Sequence, residues 1–244
     1  MRNIRLFWQI FPACVGITIV SMLLVAWLAA TTGRDFYIDH LKEEIREKYR
    51  GRPCWVGGDL SSVNDLTGFV FAFPDDDGGV DVIPFAWCPR DNAVGRSRDR
   101  RVPYLTWSQR GVLFLTEGNS VDDEAPRRLI LQARDEWGWD VREVAIDPYN
   151  AAHLLKRLGE DGFVAFEHRQ GYLSMNEPIK TTQKAILDRK LRHGGHPVLA
   201  WCVSNVVVRP DPAANLKFDK AKSGDKIDLA VAMTMAVGRA ILEM

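Results

Sequence analysis

Three aspartates stand where a sheet-building chain would place metal ligands. Asp59 closes the run "CWVGGD" (54–59), Asp147 closes "REVAID" (142–147), and Asp228 opens the long apolar run in "GDKIDLAVA" (224–232). The first two runs read as strands, so their carboxylates fall at strand carboxyl ends, the edge at which open α/β sheets form ligand sites. Three converging carboxylates repel one another unless a cation holds them. An all-oxygen donor set selects Mg²⁺ or Mn²⁺ rather than zinc. Two such ions about 3.5–4 Å apart activate a water and stabilise the leaving oxygen of a phosphodiester. In that chemistry Asp59 is assigned the bridge between the ions, with Asp147 and Asp228 at the flanks. Gly57 and Gly58 would let the backbone run close to the metal. Taken singly, a strand-end or helix-cap aspartate is a common turn or capping residue. The three together, in this order on this pattern of elements, weigh against that plainer explanation. Asp225 is an alternative to Asp228, three residues earlier on the same helical start. Asp65, in "DLSSVND", is either an auxiliary group behind the metal or a turn residue.

The elements that must position these acids follow from periodicity and punctuation. "TGFVFAF" (67–73) and "VDVIPFAW" (80–87) read as strands joined by the turn "PDDDGG". "GVLFLTEG" (111–118) contains a strand, and "VDDEAPRRLILQARDEW" (121–137) is helical with its acids in the first turn. "NAAHLLKRLGEDG" (150–162) is a helix with a glycine stop, and "FVAFEHR" (163–169) is a short strand. "MNEPIKTTQKAILDRKLRHGG" (175–195) is mostly helix, "VLAWCVSNVVVRPD" (198–211) is extended, and 225–244 is an apolar-faced helix. Three strands, a helix, a strand and further helices predict an α/β layer, antiparallel in front and parallel behind. This is the order of a ribonuclease H-like mixed sheet flanked by helices. If the strands ending in Asp59 and Asp147 are adjacent and parallel, the two acids emerge side by side, and the last helix can bring in Asp228.

The first fifty residues are of another kind. Residues 6–33 carry no charge, which exceeds the roughly 20 apolar residues needed to span a bilayer. Arg2 and Arg5 precede this run, and Trp8 and Trp27 stand near its ends like interfacial anchors. A single membrane-type helix and short linker helix over 1–50, ahead of an α/β domain over 51–244, is therefore expected. A signal peptide normally has a shorter apolar core. The arginines favour a cytoplasmic amino terminus, which would carry the second domain across a membrane and away from cytoplasmic DNA. Net charge is zero, averaging a slightly basic first fifty residues and a slightly acidic remainder, so only clustered basic residues could bind nucleic acid. Lys217, Lys220, Lys222 and Lys226 lie close in sequence to the proposed metal site and are candidates for phosphate contact. "VGRSRDRR" (94–101) and the series Lys180, Lys184, Arg189, Lys190 and Arg192 are weaker ones. His193 and His196 flank two glycines without a third ligand nearby and read as structural. Trp137, Trp139 and Trp201 read as core or edge aromatics. Cys14, Cys54, Cys88 and Cys202 are widely spaced and suggest neither a zinc site nor a disulfide framework.

"GGDLSSVNDLTG", "VAIDPYNA", "RQGYLSMNEPIK", "LRHGGHPVLAWCVSNV" and "KSGDKIDLAVAMTMA" together resemble the nuclease domain of the large terminase subunit of tailed phages. The resemblance runs from about Arg52 to the end. It implies a ribonuclease H-like fold and a Mg²⁺- or Mn²⁺-dependent endonuclease that cuts concatemeric double-stranded DNA during genome packaging. Terminase small subunit and portal protein are the partners it implies. By position, Asp59, Asp147 and Asp228 fall on the family's metal-binding acids. The chain departs from the family in having no G-x-x-x-x-G-K-[ST] loop, so no ATPase activity is expected. "LFWQIFP" and "FYIDHLKEEIREK" weakly resemble the first membrane segment of bacterial sensor histidine kinases, with no kinase signature after it. Two other readings compete: a membrane-anchored or chimeric remnant without catalysis, and another ribonuclease H-like enzyme such as a resolvase or hybrid nuclease.

Overall fold

A computed structural model of the 244-residue chain describes residues 43–60, 66–99, 102–118 and 121–242. The chain divides into two units, Met1–Tyr49 and Arg50–Met244. The described part of the first unit is helical over 43–48 (α1). The apolar segment 6–33, with its membrane and sensor-kinase readings, lies outside the described residues, as do Asp65 and Cys14. No described helix is long and apolar enough to cross a membrane.

The second unit is built on a mixed sheet. Strands β1 (Pro53–Asp59), β2 (Thr67–Pro74) and β3 (Val80–Pro89) form an antiparallel meander. Past the helices α2 (Arg90–Asp99) and α3 (Tyr104–Gln109), β4 (Phe114–Thr116) pairs parallel with β3. Helix α4 (Glu124–Asp135) then returns the chain so that β5 (Asp140–Ile146) lies parallel to β1, and α5 (Ala152–Glu160) leads to β6 (Ala165–Glu167), parallel to β5. The strand order is β4-β3-β2-β1-β5-β6, with β7 (Leu191–Arg192) also paired to β3. Helix α6 (Tyr172–Leu187) precedes β7. Helix α7 (Pro197–Ser204), the hairpin of β8 (Val208–Pro210) and β9 (Leu216–Phe218), and α8 (Asp228–Leu242) complete the chain. The antiparallel front and parallel back expected from the order of elements are both present.

Helix α8 sits in the middle of the domain. Every residue from Asp228 to Gly238 is buried, because β1 and β2 cover one side of the helix and α6 and α7 the other. That burial needs very close approach. A Cβ at Gly57 would stand 2.0 Å from the Ala232 carbonyl oxygen, and a Cβ at Gly238 would stand 2.7 Å from Pro178 on α6. Gly58 makes room for the ring of Phe69, its partner across the β1–β2 ladder. The two glycines of β1 therefore serve packing against α8 and Phe69. The opposite face of the sheet carries an aromatic layer. Phe71 and Phe73 meet Trp139 edge-on at 5.2 and 5.0 Å, and Trp137 lies 4.8 Å from Trp139.

The stretch 198–211 departs from the extended form expected of it. Its first half is α7, and only Val208–Pro210 is a strand. A short apolar run fits a buried helix as well as a strand. Two local features select the helix: Pro197 occupies a first-turn position, and the His196 ring nitrogen Nδ1 accepts the Leu199 amide at 3.3 Å. Trp201 then packs against Tyr104 and Trp107 of α3. The helix expected over 175–195 ends at Leu187, and its tail becomes β7.

Gly57→Ala is expected to lower unfolding free energy by about 3 kcal/mol or more, since a backbone oxygen cannot yield the space. Gly159→Ala, in α5 with nothing within 4 Å of the added carbon, is expected to raise it by roughly 0.5 kcal/mol. Chemical denaturation of the two variants beside the parent chain measures both.

Candidate metal centre

The β1–β5 register places Gly58 opposite Ile146, and the Asp147 amide donates to the Gly58 carbonyl at 3.0 Å. Asp59 and Asp147 therefore leave neighbouring parallel strands at the same edge. Along β1, Gly57 and Asp59 point to one face, the face on which α8 lies. Ala232 of α8 covers Gly57. Two residues along a strand advance about 6.6 Å, and four residues along a helix about 6 Å. Stepping from Gly57 to Asp59 thus corresponds to stepping from Ala232 back to Asp228. The β1–β2 ladder agrees: Asp59 pairs with Gly68, and a Cβ at Gly68 would stand 3.3 Å from the Asp228 carbonyl carbon. Sheet pairing and helix packing together carry all three sequence-predicted acids to one corner.

The corner has an internal cation. Lys220, in the turn after β9, donates from Nζ to Asp59 Oδ2 at 2.9 Å. Gln170, between β6 and α6, donates from Nε2 to Asp59 Oδ1 at 3.2 Å. Asp59 is only 1 % exposed. Burial pushes its carboxyl up to about 6, Lys220 opposes that rise by charge and hydrogen bond, and Asp147 adds to it by repulsion. Burial alone would lower the Lys220 ammonium, but Asp59, Asp228 and Asp147 together hold it above the usual lysine value. One ammonium thus stands in the field of all three acids. Asp147 is half-buried, and its Oδ1 accepts the Tyr149 amide at 3.0 Å, the turn role weighed for it above. Among the described residues no three Asp, Glu, His or Cys side chains close around a common point as a ready chelate.

Other candidates take other places. Asp225 pairs with Arg96 of α2 at 2.9 Å, so it faces α2 while Asp228 heads α8. Lys217 Nζ stands 4.7 Å over the Tyr172 ring. Lys226 offers its carbonyl to Asn205, and the Lys222 amide closes a turn on Asp219. Arg192 bridges Asp75 and Asp81, and Lys190 reaches the Asp77 carbonyl at 2.7 Å, so these two tie β7 to the β2–β3 turn. His196 is a helix cap, and burial, helped by His193, lowers its pKa to about 4. Three neighbours of the site were not singled out from sequence: Gln170, Lys220 as a partner of Asp59, and His168. The His168 amide binds the Ile146 carbonyl at 2.7 Å, and burial lowers the pKa of its ring. Gln170 lies within the motif "RQGY"; the hydrogen bond that gives it a role spans 111 positions and leaves no local signal.

The profile of the family described as the terminase large subunit, endonuclease domain, matches residues 42–243. The chain is 38% identical over 191 residues to the terminase large subunit of Enterobacteria phage HK97, an alignment covering 78% of this chain and 38% of that protein. It is 32% identical over 208 residues to protein YmfN of Escherichia coli K12, covering 80% and 45% respectively. The crystal structure of the HK97 bacteriophage large terminase superposes with a TM-score of 0.71 at 37% identity, over 78% of this chain and 40% of that one. The chain therefore spans less than half the length of these relatives.

Two stability predictions follow from the residues around the site. Asp225→Asn and Arg96→Ala are each expected to cost about 1–2 kcal/mol, with the double variant losing little more than either. Folded His196 binds protons less readily than the unfolded chain, so its contribution to stability is present above about pH 6.5 and is lost as pH falls toward about 4. His196→Asn, which keeps a capping acceptor, is expected to flatten that part of the stability–pH curve.

Proposed function

Because this chain belongs to the terminase large subunit endonuclease-domain family, we propose that it is a metal-dependent DNA endonuclease whose site is formed by Asp59, Asp147 and Asp228. The observation that carries this reading is the Lys220 ammonium, bound to Asp59 and in the field of the other two acids. A corner of the fold that collects three carboxylates and already draws in a cation has the charge and the oxygen donors for Mg²⁺ or Mn²⁺. The mixed sheet, with two acids at adjacent strand ends and a third on a crossing helix, supports the ribonuclease H-like assignment.

When bound, divalent ions would supply a water activated at neutral pH and a counter-charge for the leaving oxygen, in the two-ion arrangement if both sites fill. The residues of the chain do the rest. Asp59, buried and held from two sides, would be the donor shared between the ions. Asp147 and Asp228 flank it from β5 and α8. Arg209 of β8 donates to the Tyr172 hydroxyl at 2.9 Å, and Lys217 of β9 lies over the same ring. These two cations stand at the start of α6, two residues beyond Gln170, and can meet the phosphates of a duplex laid across the site. The substrate is double-stranded DNA, cut as concatemers during packaging in a complex with terminase small subunit and portal protein. This work belongs to the cytoplasm.

Nicking of supercoiled plasmid by the purified full chain tests the proposal. Cleavage is expected with Mn²⁺ or Mg²⁺ and none with chelator. Asp59→Asn should lower the rate at least about a hundredfold. Cleavage that persists in chelator, or in Asp59→Asn with metal, contradicts it. Preference for an RNA–DNA hybrid or a four-way junction over duplex would move the assignment to another ribonuclease H-like enzyme.

A further inference from the structure

Both oxygens of the most buried acid are already taken. Oδ2 of Asp59 accepts from Lys220 and Oδ1 accepts from Gln170. The two donors differ in what they can yield. Gln170 is neutral, and rotating its amide would offer an oxygen in place of the nitrogen. Lys220 is a cation with donors alone, and nothing it can do turns it into a metal ligand. Its ammonium sits against Asp59 in the field of Asp147 and Asp228, which together favour a cation there. An ammonium and a divalent ion repel strongly at contact range, so they cannot both lie against that oxygen at low cost.

The anchoring of Lys220 is suited to exchange. Its backbone is fixed on both sides: the Asp219 amide binds the Val207 carbonyl at 2.8 Å, and the Ser223 amide binds the Asp219 carbonyl at 3.0 Å. Its side chain is nonetheless 49 % exposed, against 2 % for Asp59. The ammonium can therefore swing into solvent while the turn that carries it stays in place.

We propose that Lys220 is a built-in competitor for the metal, holding the acids together in the metal-free protein and leaving Asp59 when a divalent ion enters. This rests on the metal-dependent reading above. In the metal-free chain the lysine keeps three acids from driving the end of β1, the end of β5 and the start of α8 apart. It also sets a threshold, because an ion must outbid the ammonium before the site is loaded.

Calorimetric titration of the full chain with Mn²⁺, without DNA, tests this, together with thermal unfolding in chelator. Lys220→Met keeps the aliphatic stem and removes the charge. It is expected to bind Mn²⁺ at least about tenfold more tightly than the parent chain. In chelator it should unfold at a lower temperature, and Mn²⁺ should restore it. Lys220→Arg keeps the charge and is expected to stay within about threefold of the parent. Equal or weaker Mn²⁺ binding by Lys220→Met overturns the proposal, as does equal tightening in Lys220→Arg. Binding by the parent chain that Asp59→Asn abolishes would leave the metal site standing even where the competitor role fails. Absence of Mn²⁺ binding in every variant removes the metal-dependent reading and this proposal together.

Discussion

A carboxylate buried at the end of a central strand is an expensive thing to build, and its placement explains much of this domain. Moving an ionised carboxylate out of water costs several kcal/mol unless a counter-charge or hydrogen bonds replace the water. Asp59 has both, one from Lys220 and one from Gln170. Those partners come from segments 161 and 111 residues away, so the acid is satisfied only when the whole second unit has folded. The site and the fold are in that sense one structure: the groups that relieve Asp59 are brought in by the hairpin after α7 and by the turn into α6.

The second acid costs little in design, because parallel pairing of β5 with β1 puts Asp147 beside Asp59 once the register is set. The third depends on α8. That helix reaches the sheet only because Gly57 has no side chain to hold it off, and it is locked from behind by Pro178 against Gly238. Its alanine-rich sequence supplies a thin helix that can be buried on all sides. Packing chosen for close approach thus fixes where Asp228 stands, several residues away from the contact itself.

The sheet was legible in the sequence, since β1, β2, β3 and β5 are apolar runs bounded by clear turns, and Asp59 and Asp147 mark the carboxyl ends of β1 and β5. The residues 198–204 were not legible, because VLAWCVS has the composition of a strand and is turned into a helix by a histidine cap and a proline in front of it. The basic residues were only half legible. Composition marks Lys217 and Lys220 alike, but one lies over Tyr172 and the other turns inward to Asp59. Arg192 and Lys190 have the same appearance in sequence and are instead tied to the β2–β3 turn. No local pattern separates a lysine that waits for phosphate from one that neutralises a distant carboxylate, because the difference lies in the tertiary pairing. For the same reason the packing of Gly57 against α8 and of Gly58 against the Phe69 ring left no local signal.

The claim on which the account stands is that Asp59, Asp147 and Asp228 share one divalent cation site. Anomalous diffraction at the manganese edge, from crystals of the full chain equilibrated with Mn²⁺, tests it most directly. The account predicts an anomalous peak bounded by these three carboxylates, with the Lys220 ammonium withdrawn from Asp59. A manganese-saturated crystal with no peak there, and Lys220 still bound to Asp59, would contradict it.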